Sequence, residues 1–515
     1  MTCARAHRWA IALCLLASPA ALAYNEAIHA LVTGRALAER AAWLDETLEP
    51  PAPAALDAFR MRFYGLASRV PDFAARWREP QAFASWDFKQ LLMLNPEAAV
   101  HGFDPVDLRP MSRRELLSLA SRWPDDDGRN RNRYLYDDQR RPVRAPDGSP
   151  LPYDPATLDF GPLTGTTSQG HAHYGLVEGP LSDDPEVLKK DPRRFALPRT
   201  AHAYGAELAQ IYTDLALLAG DSDRPGREWL AACFAGAAFH HIEDVANQIH
   251  TVQVGIYDFF RDAWMQSKLR DVATLGGLFG ERRSLRQIGV RLVGNHHLFS
   301  EDLFAKRVAE AVAGAAGAAE VREAVGALDR DDSAFSAAAR AAMGRPDRAF
   351  GRALAQAIID ASSQEGATVY ALAYRLSAET LRDGMGHEYD GARGDDPDAY
   401  LAPPSPERDR DLPRFYELQA LGLRRAATAL RLWESAFEQE LRAGPPALAV
   451  ERTLTIVLPY QEAAASRRAA HAPAPQRQRL AWEYPIAALA LGSAVALLIV
   501  RRVRGSGARR GQLQS

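Results

Sequence analysis

Between Phe239 and His250 the chain runs Phe-His-His-Ile-Glu-Asp-Val-Ala-Asn-Gln-Ile-His, which gathers imidazoles and carboxylates into twelve positions. On a helix His240 and Asp244, four residues apart, share one face and can offer a nitrogen and an oxygen to a single ion. His250, six residues further on, reaches the same cluster once the helix ends or bends. His297 and Glu301 repeat the four-residue spacing within Asn295-His296-His297-Leu298-Phe299-Ser300-Glu301. With 13 His and 65 acidic residues in 515 positions, about 1.6 such pairs arise by chance, so spacing by itself does not separate ligands from histidines satisfied by their neighbours.

The elements that must position these residues are mostly helices. Asn25 to Leu44 places Ile28, Leu31, Val32 and Ala36 on one face, and Ala201 to Leu218, Trp229 to Asp244, Ala305 to Leu328 and Arg414 to Leu441 behave similarly. Ala, Leu, Arg and Glu, all strong helix formers, dominate them. Few segments alternate with period two, and Thr453 to Leu458 is the best strand candidate. Breakers cluster in two zones, Pro124 to Pro162 and Gly384 to Pro413, which read as a long exposed loop and a weakly structured stretch. No internal repeat is evident. The expected class is all-α, with loops grafted onto one helical body.

The two ends differ from the middle. Arg5 and Arg8, the apolar stretch Trp9 to Leu16 and then Ala21-Leu22-Ala23 form the three parts of a secretory signal peptide. Near the other end, Pro485 to Val500 carries no charge, with Trp482 and Tyr484 before it and five arginines between Arg501 and Arg510 after it. That is the pattern of a transmembrane helix with a cytoplasmic basic flank; a removable C-terminal sorting signal is the alternative. The expected organisation is a signal peptide over 1–23, a helical domain over 24–443, a linker over 444–481, a transmembrane helix over 482–502 and a basic tail over 503–515. The bulk of such a chain lies outside the cytoplasm. Setting aside the two arginines of the signal and the five of the tail takes the net charge from −3 to about −10, unlike a basic nucleic-acid binder. Cys233 is the only cysteine outside the signal, so no intramolecular disulfide is available there.

The string His-x-x-x-Asp-x-x-x-x-x-His, ending Asn-Gln-x-His, resembles the core signature of the zinc-dependent phospholipase C and S1/P1 nuclease superfamily. His297 and Glu301 fit the His-x-x-x-acid pair that follows it there. That superfamily also uses its mature N-terminal residue and a nearby His as ligands. Cleavage after Ala23 would expose Tyr24, with His29 five residues on. Two further ligands are implied. One is a His before an aromatic, fitted by His173 with His171 as its rival; the other is an Asp, fitted by Asp125 in Trp123-Pro124-Asp125 with Asp72 as its rival. The resemblance thus implies up to three Zn²⁺. Asp125, His173, His240 and Asp244 would hold one; Tyr24, His29 and the bridging Asp244 a second; His250, His297 and Glu301 a third, more open one. Asp125 would both ligate and orient the attacking water.

The sequence also departs from that pattern. His250 and His297 stand 47 residues apart, implying an insertion between them, and the loop around Asp125 is long. The implied activity is phosphoester hydrolysis on a glycerophospholipid at the membrane the C-terminal helix would enter. The alternatives are a single-strand nuclease or nucleotidase, with Arg129, Arg131 and Arg133 as its local cations, and an inactive anchored binding protein of the same fold.

Overall fold

The computed structural model describes residues 26–70, 109–122, 175, 205–251, 285–315, 318–344, 349–377, 389 and 395–456. These belong to one compact unit that ends at Gln461. They are mainly helical, in line with the all-α expectation. The helices are α1 (Glu26–Ala36), α2 (Ala41–Leu44), α3 (Pro53–Ala67), α4 (Arg113–Ala120), α5 (Gly205–Gly220), α6 (Arg227–Asp244), α7 (Leu285–Ala313), α8 (Ala319–Gly326), α9 (Ser333–Met343), α10 (Phe350–Leu376) and α11 (Pro406–Ala443). A further helix, α12, covers 446–456. Two short strands, β1 (Thr47–Leu48) and β2 (Met111–Ser112), pair antiparallel with Thr47 opposite Ser112.

The centre of the body is the pair α5 and α6. Every residue from Gly205 to Ala219 and from Trp229 to Asp244 is buried. This corrects the amphipathic reading of these two segments, because neither keeps a solvent stripe. Each is surrounded: α5 packs on α6, α10 and α11, while α6 also meets α4 and α1. Small residues make this possible. Ala231, Ala232, Ala235, Gly236, Ala237 and Ala238 thin α6 enough for neighbours to approach. At Gly236 a Cβ would lie 2.5 Å from the Ala120 Cβ and 2.8 Å from the Leu117 carbonyl oxygen, so α4 sits against bare backbone there. Trp433 on α11 closes another side, edge-on to Phe239 and donating its indole N–H to Thr213 Oγ1 at 2.8 Å.

Several expected boundaries move, each for a local reason. The stretch Asn25 to Leu44 breaks after α1, where Leu37 leaves helical geometry (φ −103°, ψ 17°). Ala305 to Leu328 is two helices rather than one, since α7 ends before Gly314, whose φ of +82° suits a residue without a Cβ. The last residues of the weakly structured zone Gly384 to Pro413 are in fact the start of α11. Ser405 caps it, accepting the Arg408 N–H at 3.1 Å, and Pro406 occupies the first turn, where its missing N–H costs nothing.

The strand candidate Thr453 to Leu458 is also corrected, because 453–456 are helical and form the end of α12. The helix is docked by Ala449, Val450 and Leu454. Arg452 binds Asp214 through Nε at 3.0 Å, and Thr453 Oγ1 reaches the other Asp214 oxygen at 3.4 Å. The start of the segment read as a linker over 444–481 is therefore part of the helical body. Among the described residues no helix is long and apolar enough to cross a membrane. The signal segment 1–23 and the proposed span 482–502 lie outside the described residues.

Two outcomes follow from this packing. Gly236→Ala would stabilise an exposed helix by about 1 kcal/mol. Here the added methyl meets Ala120 and backbone, and thermal melting should show a loss of about 1–3 kcal/mol. The second concerns Asp214, whose carboxyl burial pushes up to about 7 against the opposing pull of Arg452, Gln210 and Thr453. A carboxyl raised above its unfolded value of about 3.9 contributes stability that is complete below that value and is lost as pH rises towards 7. In Arg452→Met the compensating charge is gone and the carboxyl rises further, so the loss continues above neutrality. The urea midpoint of this variant should drop progressively further below that of the wild type between about pH 6 and pH 9. A pH-independent gap would contradict the pairing.

Candidate metal centre

The end of α6 supplies most of the site. His240 and Asp244 project from one face, with His240 Nε2 2.9 Å from Asp244 Oδ2. The helix stops at Asp244, and the chain then winds through tight bonds from the Val245 N–H to the His241 carbonyl and from the Asn247 N–H to the Asp244 carbonyl. A short 3-10 turn, Gln248–Thr251, follows. This reversal brings His250 Nδ1 to 3.8 Å from Asp244 Oδ1, while His250 Nε2 lies 3.0 Å from Glu301 Oε1 on α7.

His29 arrives from α1, more than two hundred residues earlier in the chain. Its Nε2 lies 3.5 Å from Asp244 Oδ1, and its ring centroid is 4.6 Å from that of His240. One nitrogen of His29, one of His240 and one oxygen of Asp244 all fall within 4.8 Å of one another, and all three residues are buried. Asp244 turns Oδ2 to His240 and Oδ1 to His29, the disposition a bridging carboxylate needs.

The outer partners set the tautomers. His240 Nδ1 is 2.9 Å from the Ser121 carbonyl, which can only accept, so Nδ1 carries a proton and Nε2 is the ring atom turned to Asp244. His29 Nδ1 lies 2.6 Å from Glu243 Oε2, and Thr33 Oγ1 donates to Glu243 Oε1 at 2.8 Å. A carboxylate behind a histidine is a common device for aiming the far nitrogen at a metal. Burial lowers the His29 pKa, but the hydrogen bonds and charges of Asp244 and Glu243 outweigh it and leave it well above the ordinary value. Burial likewise pushes Glu243 up to about 7, against the pull of His29 and Thr33.

Ionisable groups removed from water are costly unless paired, hydrogen-bonded or bound to a cation. Here Asp244, Glu243 and Glu301 share a buried volume with His29, His240 and His250. Such a set can hold a divalent cation.

The remaining expected ligands divide into two groups. His297 lies on α7, one turn before Glu301, and its backbone alone is described. Tyr24, Asp125 and its rival Asp72, and His173 and its rival His171 lie outside the described residues. Their chain neighbours are visible in part. Ser121, whose carbonyl receives His240, stands four positions before Asp125. Gly175, two positions after His173, donates its N–H to the His250 carbonyl at 3.0 Å.

Sequence reasoning missed Glu243, Thr33 and the Ser121 carbonyl. The signal for the first two was present: Thr33 follows His29 by four residues, and Glu243 precedes Asp244. A backbone carbonyl on another helix has no sequence signal. Comparison of the chain with family models, with curated proteins and with solved structures finds no match in any of the three.

Glu243→Gln keeps the size of the side chain and removes the charge behind His29. Isothermal titration with zinc should show affinity reduced by roughly 10- to 100-fold, the usual cost of losing such a partner. Unchanged affinity would show that Glu243 does not support the site.

Proposed function

We propose that this chain is a zinc-dependent phosphoester hydrolase, phospholipase C-like, that releases phosphorylated headgroups from glycerophospholipids. The observation that carries this reading is the meeting of His29, His240 and Asp244 from distant parts of the chain. They are residues on which the resemblance to the zinc phospholipase C and S1/P1 nuclease superfamily rests. The donor set fits zinc, since imidazole nitrogen and carboxylate oxygen without thiolate suit Zn²⁺ sites that retain a position for water.

Bound zinc would supply a water acidic enough to ionise near neutral pH and a Lewis acid for phosphoryl oxygens. The chain's own residues provide the rest. Ser121 and Glu243 fix the protons of His240 and His29 on their outer nitrogens. Asp244 would share its two oxygens between neighbouring ligand groups, and His250 and Glu301, with His297, would hold the other edge of the site. In this reading Asp125 ligates and also orients the attacking water. Tyr24 would join through its freed amine after export. The acidic charge balance and the apolar segment at 482–502 weigh towards a lipid substrate at a membrane surface rather than nucleic acid.

Metal analysis of the purified full chain should find two or more zinc ions per molecule. Phosphatidylcholine hydrolysis should exceed cleavage of single-stranded DNA, and both should vanish in the double variant His240→Ala, Asp244→Ala. Fewer than two zincs, or activity surviving in that variant, would sink the proposal. Preferential DNA cleavage would keep the metal site and move the substrate to the nuclease alternative.

A further inference from the structure

The turn that carries His250 is held from behind by α11. Gln248 Nε2 donates to the Leu418 carbonyl at 2.5 Å. The next residue on α11, Gln419, donates through Nε2 to Asn247 Oδ1 at 3.3 Å, and the Ile249 N–H donates to the same oxygen at 3.3 Å. With two donors on Oδ1, the Asn247 amide has one orientation. Its Nδ2 faces α7 and donates to Glu301 Oε1 at 2.9 Å, the same oxygen that lies 3.0 Å from His250 Nε2. Reversing the amide would set its oxygen against the carboxylate and its nitrogen against two donors. The side chains of Gln248, Gln419, Asn247, Glu301 and His250 are all buried, so water is not at hand to repair a mismatch.

We infer that Gln419 is a positioning residue for the metal-binding pair Glu301 and His250, acting through the orientation it imposes on the Asn247 amide. This rests on the zinc reading of the site. Gln419 touches neither metal nor substrate. It determines which atom Asn247 presents to Glu301, and thereby the plane of that carboxylate. The consequence is selective. The His29, His240 and Asp244 group has its own supports in Glu243 and Ser121, so disturbing Gln419 loosens one part of the metal cluster and leaves the other.

The test uses the full chain as wild type, Gln419→Met and Gln419→Glu. Methionine keeps the length of the side chain and removes the donor; glutamate keeps the shape and turns acceptors towards Asn247. Chelator competition gives the affinity of each bound zinc, Co²⁺ substitution gives the visible spectrum of the sites, and melting of the metal-free protein gives stability. In both variants the weakest-bound zinc should be released roughly 10- to 100-fold more readily, with a changed Co²⁺ spectrum. The tightest-bound zinc should be held as in wild type, while the metal-free melting temperature falls in both variants, because each leaves a buried polar group without its partner. If either variant fails to fold, the other carries the comparison. Zinc held as tightly as in wild type, or loosened equally at every site, overturns the role of Gln419 and leaves the zinc reading standing. A wild-type chain that binds no zinc overturns both.

Discussion

Asp244 is fully buried at the end of a helix that is itself buried on every face, and the surrounding architecture answers to that placement. A carboxylate in such a position needs hydrogen-bond donors, opposite charge or a cation around it. The chain provides imidazoles from three directions: His240 from the same helix, His29 from α1, and His250 from the turn beyond. Each imidazole has its own outer contact, on the Ser121 carbonyl, Glu243 and Glu301 respectively. The polar groups thus form a connected cluster inside an otherwise apolar body, and its members come from segments widely separated in sequence.

Holding that cluster requires close approach of helices more than specific surface chemistry. The small residues along α6 let α4 come near enough for a carbonyl at its end to meet His240, and Gly236 is the point of nearest approach. One turn of α6 separates Gly236 from His240, so the packing contact and the chemical contact lie on the same face. On another side, α11 supplies both apolar mass, through Trp433, and polar fixings, through the Leu418 carbonyl and Gln419. The same helix therefore closes the core and orients the turn that carries His250. Farther away, Arg452 ties α12 to Asp214 on α5, so the end of the described chain is fastened to the central pair.

The periphery is held by arginines in exposed or half-buried ion pairs. Arg40 contacts Glu434 and Glu438 and lies over Trp43, and Arg113, itself buried, also lies over Trp43 and pairs with the exposed Glu46 and Glu228. Guanidinium planes suit this dual use, since they stack on rings and pair with carboxylates at once. Pairs at the surface contribute little each. They link the segment after α1 to α11, and the start of α4 to Glu46 and the start of α6.

The sequence alone determined the helical class, the existence of α5, α6 and the long α11, and the face shared by His240 and Asp244, because helix periodicity and i, i+4 spacing are local properties. It also marked His29, His250 and Glu301, through their order along the chain and a resemblance in residue types. It misjudged α5 and α6 as amphipathic and Thr453 to Leu458 as a strand, since what surrounds a segment is not written in its own periodicity. The start of α11 is written locally, in a Ser405 cap followed by Pro406. Only the tertiary structure decided that His29 meets His240 across Asp244, that Glu243 stands behind His29, and that the Ser121 carbonyl and Gln419 contact His240 and Asn247 from separate parts of the chain. Those contacts join residues about one to two hundred positions apart, and their geometry depends on interhelical distances that no local pattern encodes.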